Sequence, residues 1–538
     1  MTLDDLNNFL KQQLPGYENK LFGLNRENHI GLAEKPQYKF DTPHGYWDAT
    51  WDQLPELEWN RDRMQFADAI EEAIASAQYV VDIATMKTPS GAFLDKIRNG
   101  IAKLTQRKDE GVTVQVRIVV GLIGIDSRYP TEAILREWLP HFGSGQRVKV
   151  YIGAINFAAK SWNHAKFVAV DGQRLITGGH NLWADDYLSR RPIFDLSLRV
   201  DGPIAAGAHE FASQMWAFIH RHNHQGGTYS YLLDTKTRKI TPEAYAGNLP
   251  MQGEAAGTLP VLWVANPGLG LVETTRSAGL EAMCEAIRRA KHFRLCQQDL
   301  GAYGFLPVLA EGDQPATYSA DGSDFPVPSP DAAMQDSFIP VKLQHGVEAI
   351  AYYVKSGAAP IYFSKPFMEA LVNLMMPSDT KLDIVLTNLD AKTVTGVPYS
   401  NGVNPWYVAR LLCLMMWARG VNRTHAKDKL MKQMVLGTVA TSPTERGSKW
   451  GNGVPMGNHA KFWMADNNIF YVGSENCYPT PGFKRLRWFD GLLHEFGVIV
   501  ESQTVAQTLL LNDYFNYMLK YSHKVNISDI DRDTAATA

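Results

Sequence analysis

The sequence predicts an α/β protein of two similar lobes, each a mainly parallel β-sheet flanked by helices, with the active site at the seam between them. Three observations carry this prediction. Amphipathic helical stretches alternate with short apolar runs, the pattern of strands joined through helices. The order of these elements repeats in the two halves of the chain. Both halves then reach an almost identical block, NHAKFVAVD at 163–171 and NHAKFWMAD at 458–466.

Taken in order, QFADAIEEAIASAQYVVDIATM (65–86) reads as an amphipathic helix running into a buried strand, and LEAMCEAIRRAKHFRLCQQDL (280–300) is its partner in the second half. A second helix and strand follow each: FLDKIRNGIAKL (93–104) and VTVQVRIVVG (112–121), then FMEALVNLMM (367–376) and KLDIVLTNL (381–389). The join is expected between His224 and Leu262, where Gly-Gly and polar residues replace periodic apolar ones. This divides the chain into lobes at 1–250 and 251–538. The stretch 311–341, rich in Pro, Asp, Ser and Gly, reads as a long loop, and the polar tail after Asn526 as frayed.

Bulk properties narrow the class. A chain of 538 residues with 45% hydrophobic and 20% charged residues is a globular protein too long for one ordinary core. The formal charge of −3 offers no overall attraction to a polyanion, so nucleic acid is not the expected partner. Cys284, Cys296, Cys413 and Cys477 are scattered without a C-x-x-C pair, which argues against a structural zinc site and leaves a disulfide open. No uncharged apolar run of about 18 residues is present to span a membrane. The acidic start, MTLDDLNN, shows no basic-then-apolar leader.

The duplicated block carries the chemistry. His164, Lys166 and Asp171 stand as H-x-K-x4-D, followed by Gly178, Gly179 and Asn181; His459, Lys461 and Asp466 repeat that spacing, followed by Gly473, Ser474 and Asn476. A lone histidine on an apolar strand is a core residue by default, and a lone lysine an edge charge. Two copies with matching offsets override that default. In a strand, His and Lys at i+2 project from one face, so two such strands would gather two imidazoles and two ammonium groups around one point. That suits a tetrahedral phosphate: lysines and asparagines neutralise its oxygens, one neutral imidazole attacks phosphorus, and the other, protonated, supplies a proton to the departing oxygen. Gly179 and Ser474 are expected to let backbone approach the substrate. Asp171 and Asp466 complete the set, with turn-forming support as their expected role. Asp195 and Glu495, on apolar strands downstream, are candidates to orient the imidazoles or to form ordinary ion pairs.

With both copies of H-x-K-x4-D-x6-G-[GS]-x-N intact, the chain resembles the phospholipase D superfamily. GGHNLWADDYL (178–188) and GSENCYP (473–479) resemble the corresponding runs of the secreted, single-chain bacterial phospholipases D of the Streptomyces type. The resemblance implies that His164 is the nucleophile that forms a phosphohistidine. It makes His459 the general acid that then activates water, or an alcohol in transphosphatidylation. Lys166, Lys461, Asn181 and Asn476 would hold the phosphate, and Asp195 and Glu495 would orient the rings. Trp183, Tyr187 and Tyr399 would line a choline pocket, where aromatic faces meet a cationic head group. The implied substrate is a glycerophospholipid such as phosphatidylcholine, met peripherally at a membrane or micelle surface by a monomer without cofactor or metal. Another phosphodiester, including nucleic acid, is the alternative. The resemblance implies secretion, while the missing leader keeps a cytoplasmic location or another export route open.

Overall fold

The computed structural model describes the chain apart from 31–38, 42–55, 122–130, 158–160, 304–317, 320–337, 343–360, 389–390, 392–404, 441–455, 479–492 and 531–538, and the single positions 190, 191, 226, 248, 250, 252 and 275. Its first half contributes β1 (Phe22–Asn28), β2 (Lys39–Asp41), β3 (Val80–Thr85), β4 (Val114–Gly121), β5 (Val148–Phe157), β6 (Ser161–Trp162), β7 (Phe167–Val170), β8 (Arg174–Gly178), β9 (Leu196–Asp201), β10 (Tyr229–Asp234) and β11 (Lys239–Thr241). The second contributes β12 (Leu259–Pro267), β13 (His292–Cys296), β14 (Gly301–Tyr303), β15 (Tyr318–Ser319), β16 (Phe338–Lys342), β17 (Ile361–Ser364), β18 (Lys381–Leu386), β19 (Met434–Val439), β20 (Phe462–Ala465), β21 (Ile469–Gly473), β22 (His494–Glu501) and β23 (Ser522–Lys524).

Two large sheets result, and their strand orders match. The first runs β10-β5-β4-β3-β7-β8-β9-β2 and the second β23-β19-β18-β13-β20-β21-β22-β12, with β11 and β1 added at opposite ends. The repeat seen in the sequence is therefore a repeat of topology. Within these two sheets, parallel pairing among the described strands is confined to β3-β4-β5 and β13-β18-β19, where helices intervene between consecutive strands. The motif strands β7-β8-β9 and β20-β21-β22 are antiparallel, with tight hairpin returns between β7 and β8 and between β20 and β21 and longer connections to β9 and β22. The expected parallel arrangement thus holds for the strand–helix–strand parts, and each sheet is mixed as a whole.

Helices cover both sheets. In the first lobe α2 (Glu56–Ser76) packs on α3 (Ala92–Gln106), and α6 (Ala205–His222) lies against β5 and β7. Phe167, Phe211 and Met215 of the first lobe share one buried cluster with Phe462, Phe496, Tyr514 and Phe515 of the second. This common core locks the lobes together, and Phe167 and Phe496 meet across it with ring centroids 5.1 Å apart.

The division at residue 250 needs one correction. α1 (Leu3–Gln13), started by a Thr2–Asp5 capping box, buries Leu3, Leu6 and Leu10 in the core of the second lobe. β1 then pairs with β12 and closes the edge of the second sheet. The N-terminal arm therefore belongs with the C-terminal lobe. The expected join also holds structure, because β10 and β11 lie within it and pair in the first sheet. Past Asn526, Ile527 and Ile530 are buried in the second-lobe core, so the tail is docked to that point. Of 311–341, the described residues form β15 and part of β16 in a four-stranded sheet with β14 and β17.

Candidate active site at the seam

Each motif is held by the lobe it does not belong to. The His164 backbone N–H donates to the His494 carbonyl at 2.9 Å, and that of His459 donates to the Phe194 carbonyl at 2.7 Å. β7 and β20 begin only at Phe167 and Phe462, so His and Lys sit in extended segments ahead of the strands. The histidine N–H groups pair across the seam, whereas the Lys166 and Lys461 carbonyls accept from the home strands, from Gly178 N–H at 3.4 Å and Gly473 N–H at 3.3 Å.

The carboxylates cross in the same way. Nδ1 of His164 lies 2.7 Å from Glu495 Oε1, and Nδ1 of His459 lies 2.8 Å from Asp195 Oδ2. The rings face one another with centroids 6.5 Å apart. With Nδ1 engaged in both, Nε2 is the nitrogen each imidazole has to offer a substrate. Lys166 Nζ donates to the His164 carbonyl at 2.6 Å, and Lys461 Nζ to the His459 carbonyl at 2.5 Å, so both ammonium groups are anchored at the imidazoles' own backbone.

Gly179 and Ser474 serve the carboxylates, a correction to their expected approach to substrate. A Cβ at Gly179 would collide with Asp195 Oδ1, and the Gly179 carbonyl lies 3.1 Å from His459 Nδ1. Ser474 Oγ donates to Glu495 Oε2 at 2.6 Å. Asn181 and Asn476 are buried, and among the described residues their Oδ1 atoms have no hydrogen-bond partner. A buried amide left half-satisfied costs about 1–3 kcal/mol, which a bound ligand could offset.

Asp171 and Asp466 are corrected out of the catalytic set. They lie beyond the far ends of β7 and β20, in left-handed backbone at φ 51° and 52°. The Asp171 carboxylate accepts from the backbone N–H groups of Gln78, Tyr79 and Val80; Asp466 Oδ1 accepts from those of Lys291 and His292. Each ties its motif turn to the start of the neighbouring antiparallel strand, β3 or β13. Tyr187, expected at a head group, is buried with its hydroxyl 3.1 Å from His459 Nδ1. Trp183 is half-buried at the start of the short helix α5 (Ala184–Tyr187) that carries Tyr187, with the Lys87 ammonium 4.9 Å from its ring centroid. Tyr399 lies outside the described residues.

The residue before each histidine went unnoticed in the sequence reading, although NHAK is identical in both copies. Asn163 Nδ2 donates to the Thr85 carbonyl at 2.9 Å and Asn458 Nδ2 to the Gln297 carbonyl at 2.9 Å. These bonds fasten the motif to the C-terminal ends of β3 and β13. Gln298 was also missed; its Oε1 accepts from Lys461 Nζ at 3.4 Å.

Burial dominates the electrostatics. Together with Lys166 and Lys461, it pushes the His164 imidazole well below its ordinary value, and His459 is lowered likewise by burial, Lys461 and Lys166. Burial brings Lys166 down to about 7 and Lys461 down to about 8. It raises the Asp195 carboxyl to about 7 and that of Glu495 to about 8. Every charge here is disfavoured until an anion enters. A phosphodiester would reverse the bias on lysines and imidazoles, favouring their protonated forms.

A family profile described as cardiolipin synthase, PLD-like domain, matches residues 70–216. The chain is also 26% identical to phospholipase D of Streptomyces antibioticus, over 94% of this chain and 85% of that protein. Both comparisons make the chain similar to the phospholipase D superfamily. Among solved structures it is similar to phosphatidylserine synthase of Haemophilus influenzae Rd KW20, with a TM-score of 0.45 and 12% identity over 86% of each chain. It is also similar to Nuc of Salmonella typhimurium, a phospholipase D family member, with a TM-score of 0.19 and 16% identity over 28% of this chain and 84% of that one. This similarity supports a phosphodiesterase-type enzyme. No described helix is long and apolar enough to cross a membrane.

Proposed function

We propose that the protein is a phospholipase D that cleaves the distal phosphodiester bond of glycerophospholipids, giving phosphatidic acid and the head-group alcohol. The observation that carries this reading is the crossed pair of imidazole–carboxylate contacts, 2.7 Å for His164–Glu495 and 2.8 Å for His459–Asp195, with a lysine anchored beside each ring.

In the first step His164 Nε2 attacks phosphorus and forms the N–P bond. The bond from phosphorus to the head-group oxygen breaks as His459 gives that oxygen its Nε2 proton. In the second step water attacks phosphorus while His459 takes its proton back, and the N–P bond breaks to release phosphatidic acid. An alcohol in place of water gives a new phosphatidyl ester. Lys166, Lys461, Asn181 and Asn476 oppose the charge that builds on the phosphoryl oxygens. Placing His459 as the acid is supported by its surroundings: both the Asp195 carboxylate and the Gly179 carbonyl lie beside Nδ1, and both favour a proton there.

The test uses the purified chain with mixed phospholipid vesicles and 1-butanol. Phosphatidic acid and phosphatidylbutanol should both form, and His164→Ala should lose both by about 10⁴-fold or more. Cleavage of bis(p-nitrophenyl) phosphate with no phosphatidic acid from any phospholipid would retain the chemistry and reject the lipid substrate, leaving another phosphodiester. Activity is proposed at a membrane surface by a peripheral enzyme, with secretion as the working location.

A further inference from the structure

We infer that Lys87 occupies the cation position on Trp183 and selects head groups that present acceptor oxygens, an anionic carboxylate above all, over quaternary ammonium head groups. The inference deepens the phospholipase reading and rests on it.

An aromatic face is a good seat for a quaternary ammonium only while it is vacant. Here the Lys87 ammonium already lies 4.9 Å from the Trp183 ring centroid. A choline group brought to that face would set two cations over one ring, with repulsion replacing the attraction that recommends the site. Among the described residues the Lys87 ammonium makes no hydrogen bond and no close ion pair, and the Asp186 carboxylate is the charge that acts on it, at longer range. A half-buried ammonium without an acceptor is a donor awaiting one.

Its place in the fold puts it on the loop that leaves the strand anchoring the first motif. Lys87 follows β3 by two residues, and the carbonyl of Thr85, the last residue of β3, is the one that receives Asn163, the neighbour of His164. In the second lobe the Gln297 carbonyl receives Asn458 in the same way, and the residue two beyond it is Asp299, whose charge acts on Lys461. Lys87 is thus the counterpart, at equal offset, of a residue at the phosphate-binding lysine. The loop is also pinned to the Trp183 side: Ser90 N–H donates to the Leu182 carbonyl at 3.0 Å, and Ser90 and Trp183 form a β-bridge. The same short helix sends Tyr187 to His459.

The experiment measures phosphatidic acid release by the full chain from vesicles holding phosphatidylcholine, phosphatidylglycerol and phosphatidylserine in equal amounts, with each head group quantified. In the reverse sense, serine, glycerol and choline compete as acceptor alcohols. We expect phosphatidylserine to be cleaved at least about 10-fold faster than phosphatidylcholine, with phosphatidylglycerol between. Lys87→Met should lower that ratio by about 10-fold, and Lys87→Arg should retain it. Equal or faster cleavage of phosphatidylcholine by the wild type, or a ratio unmoved by Lys87→Met, would overturn the inference while leaving the phospholipase standing. Absence of phosphatidic acid from every lipid would overturn both.

Discussion

The two lobes share a strand order, a motif and the backbone contacts that hold it, yet the side chains behind the two imidazoles differ between them. The carboxylate behind one imidazole is Asp195, with Gly179 and Tyr187 around it; behind the other it is Glu495, held by Ser474. Between the small residue and the asparagine stands His180 in one lobe, bonded through Nδ1 to Ser197, and Glu475 in the other, bonded to Ser277. Deeper in the sheets the first lobe pairs Asp82 on β3 with Arg117 on β4, while the second has Arg294 on β13 and Asp383 on β18 at the matching register. On the proposed mechanism, symmetry would build the phosphate site and asymmetry would give its two halves different tasks.

The strongest way to break this comparison is to remove the negative charge behind each ring. Asp195→Asn and Glu495→Gln should each lower turnover by about 10²–10⁴-fold, as the ring loses orientation and charge compensation. They should separate with leaving group. On a p-nitrophenyl ester, whose leaving oxygen needs no protonation, the Asp195→Asn defect should shrink in the burst phase, whereas that of Glu495→Gln should persist. Equal behaviour of both variants on both leaving groups would abolish the distinction between acid and nucleophile.

The pH profile offers the next largest effect. Lys166 and Lys461, lowered to about 7 and about 8 by burial, lose their protons as pH rises through that window. The kcat/KM of the free enzyme should therefore fall above pH 7–8. His164, held well below its ordinary value, stays neutral and nucleophilic through mildly acid pH, so the acid limb should lie below the usual histidine range. Lys166→Arg, with a guanidinium that does not titrate here, should move the alkaline limb upward in whatever activity it retains. An alkaline limb unmoved by that change would assign it to another group.

Stability gives the smallest contrast. Asp82 and Arg117 are fully buried together with His209, whose Nδ1 lies 2.6 Å from Asp82. Burial pushes the Asp82 carboxyl up, but Arg117 and His209 more than offset it and hold it below its ordinary value. Arg117→Ala should cost about 3–5 kcal/mol by stranding a buried carboxylate. The second-lobe pair is looser, with Arg294 Nε 4.0 Å from Asp383, whose Oδ2 is instead met by His292 Nε2 at 2.7 Å. Arg294→Ala should cost about 1–3 kcal/mol in urea unfolding, because Asp383 keeps that partner. A larger loss for Arg294 would reverse the ranking of the two lobes.

Much of this was legible in the chain itself. Periodicity located the helix at 93–104, observed as Ala92–Gln106, and the strand at 112–121, observed as Val114–Gly121, because local amphipathic pattern reports local structure. Duplication singled out His164, Lys166, His459 and Lys461, since equal offsets are a property of sequence alone. What the chain could not reveal depends on contacts between distant residues. The motif aspartates read as part of a catalytic signature, but only pairing places their carboxylates on the amides of 78–80 and 291–292. The crossed partnership of His164 with Glu495 and His459 with Asp195 joins residues 331 and 264 positions apart. No local pattern encodes that separation, whereas two lobes closing on one buried core impose it. Likewise, the resemblance implies that Trp183 is an aromatic seat for a cation, and only the packed loop of 87–90 shows a cation of the protein's own already there.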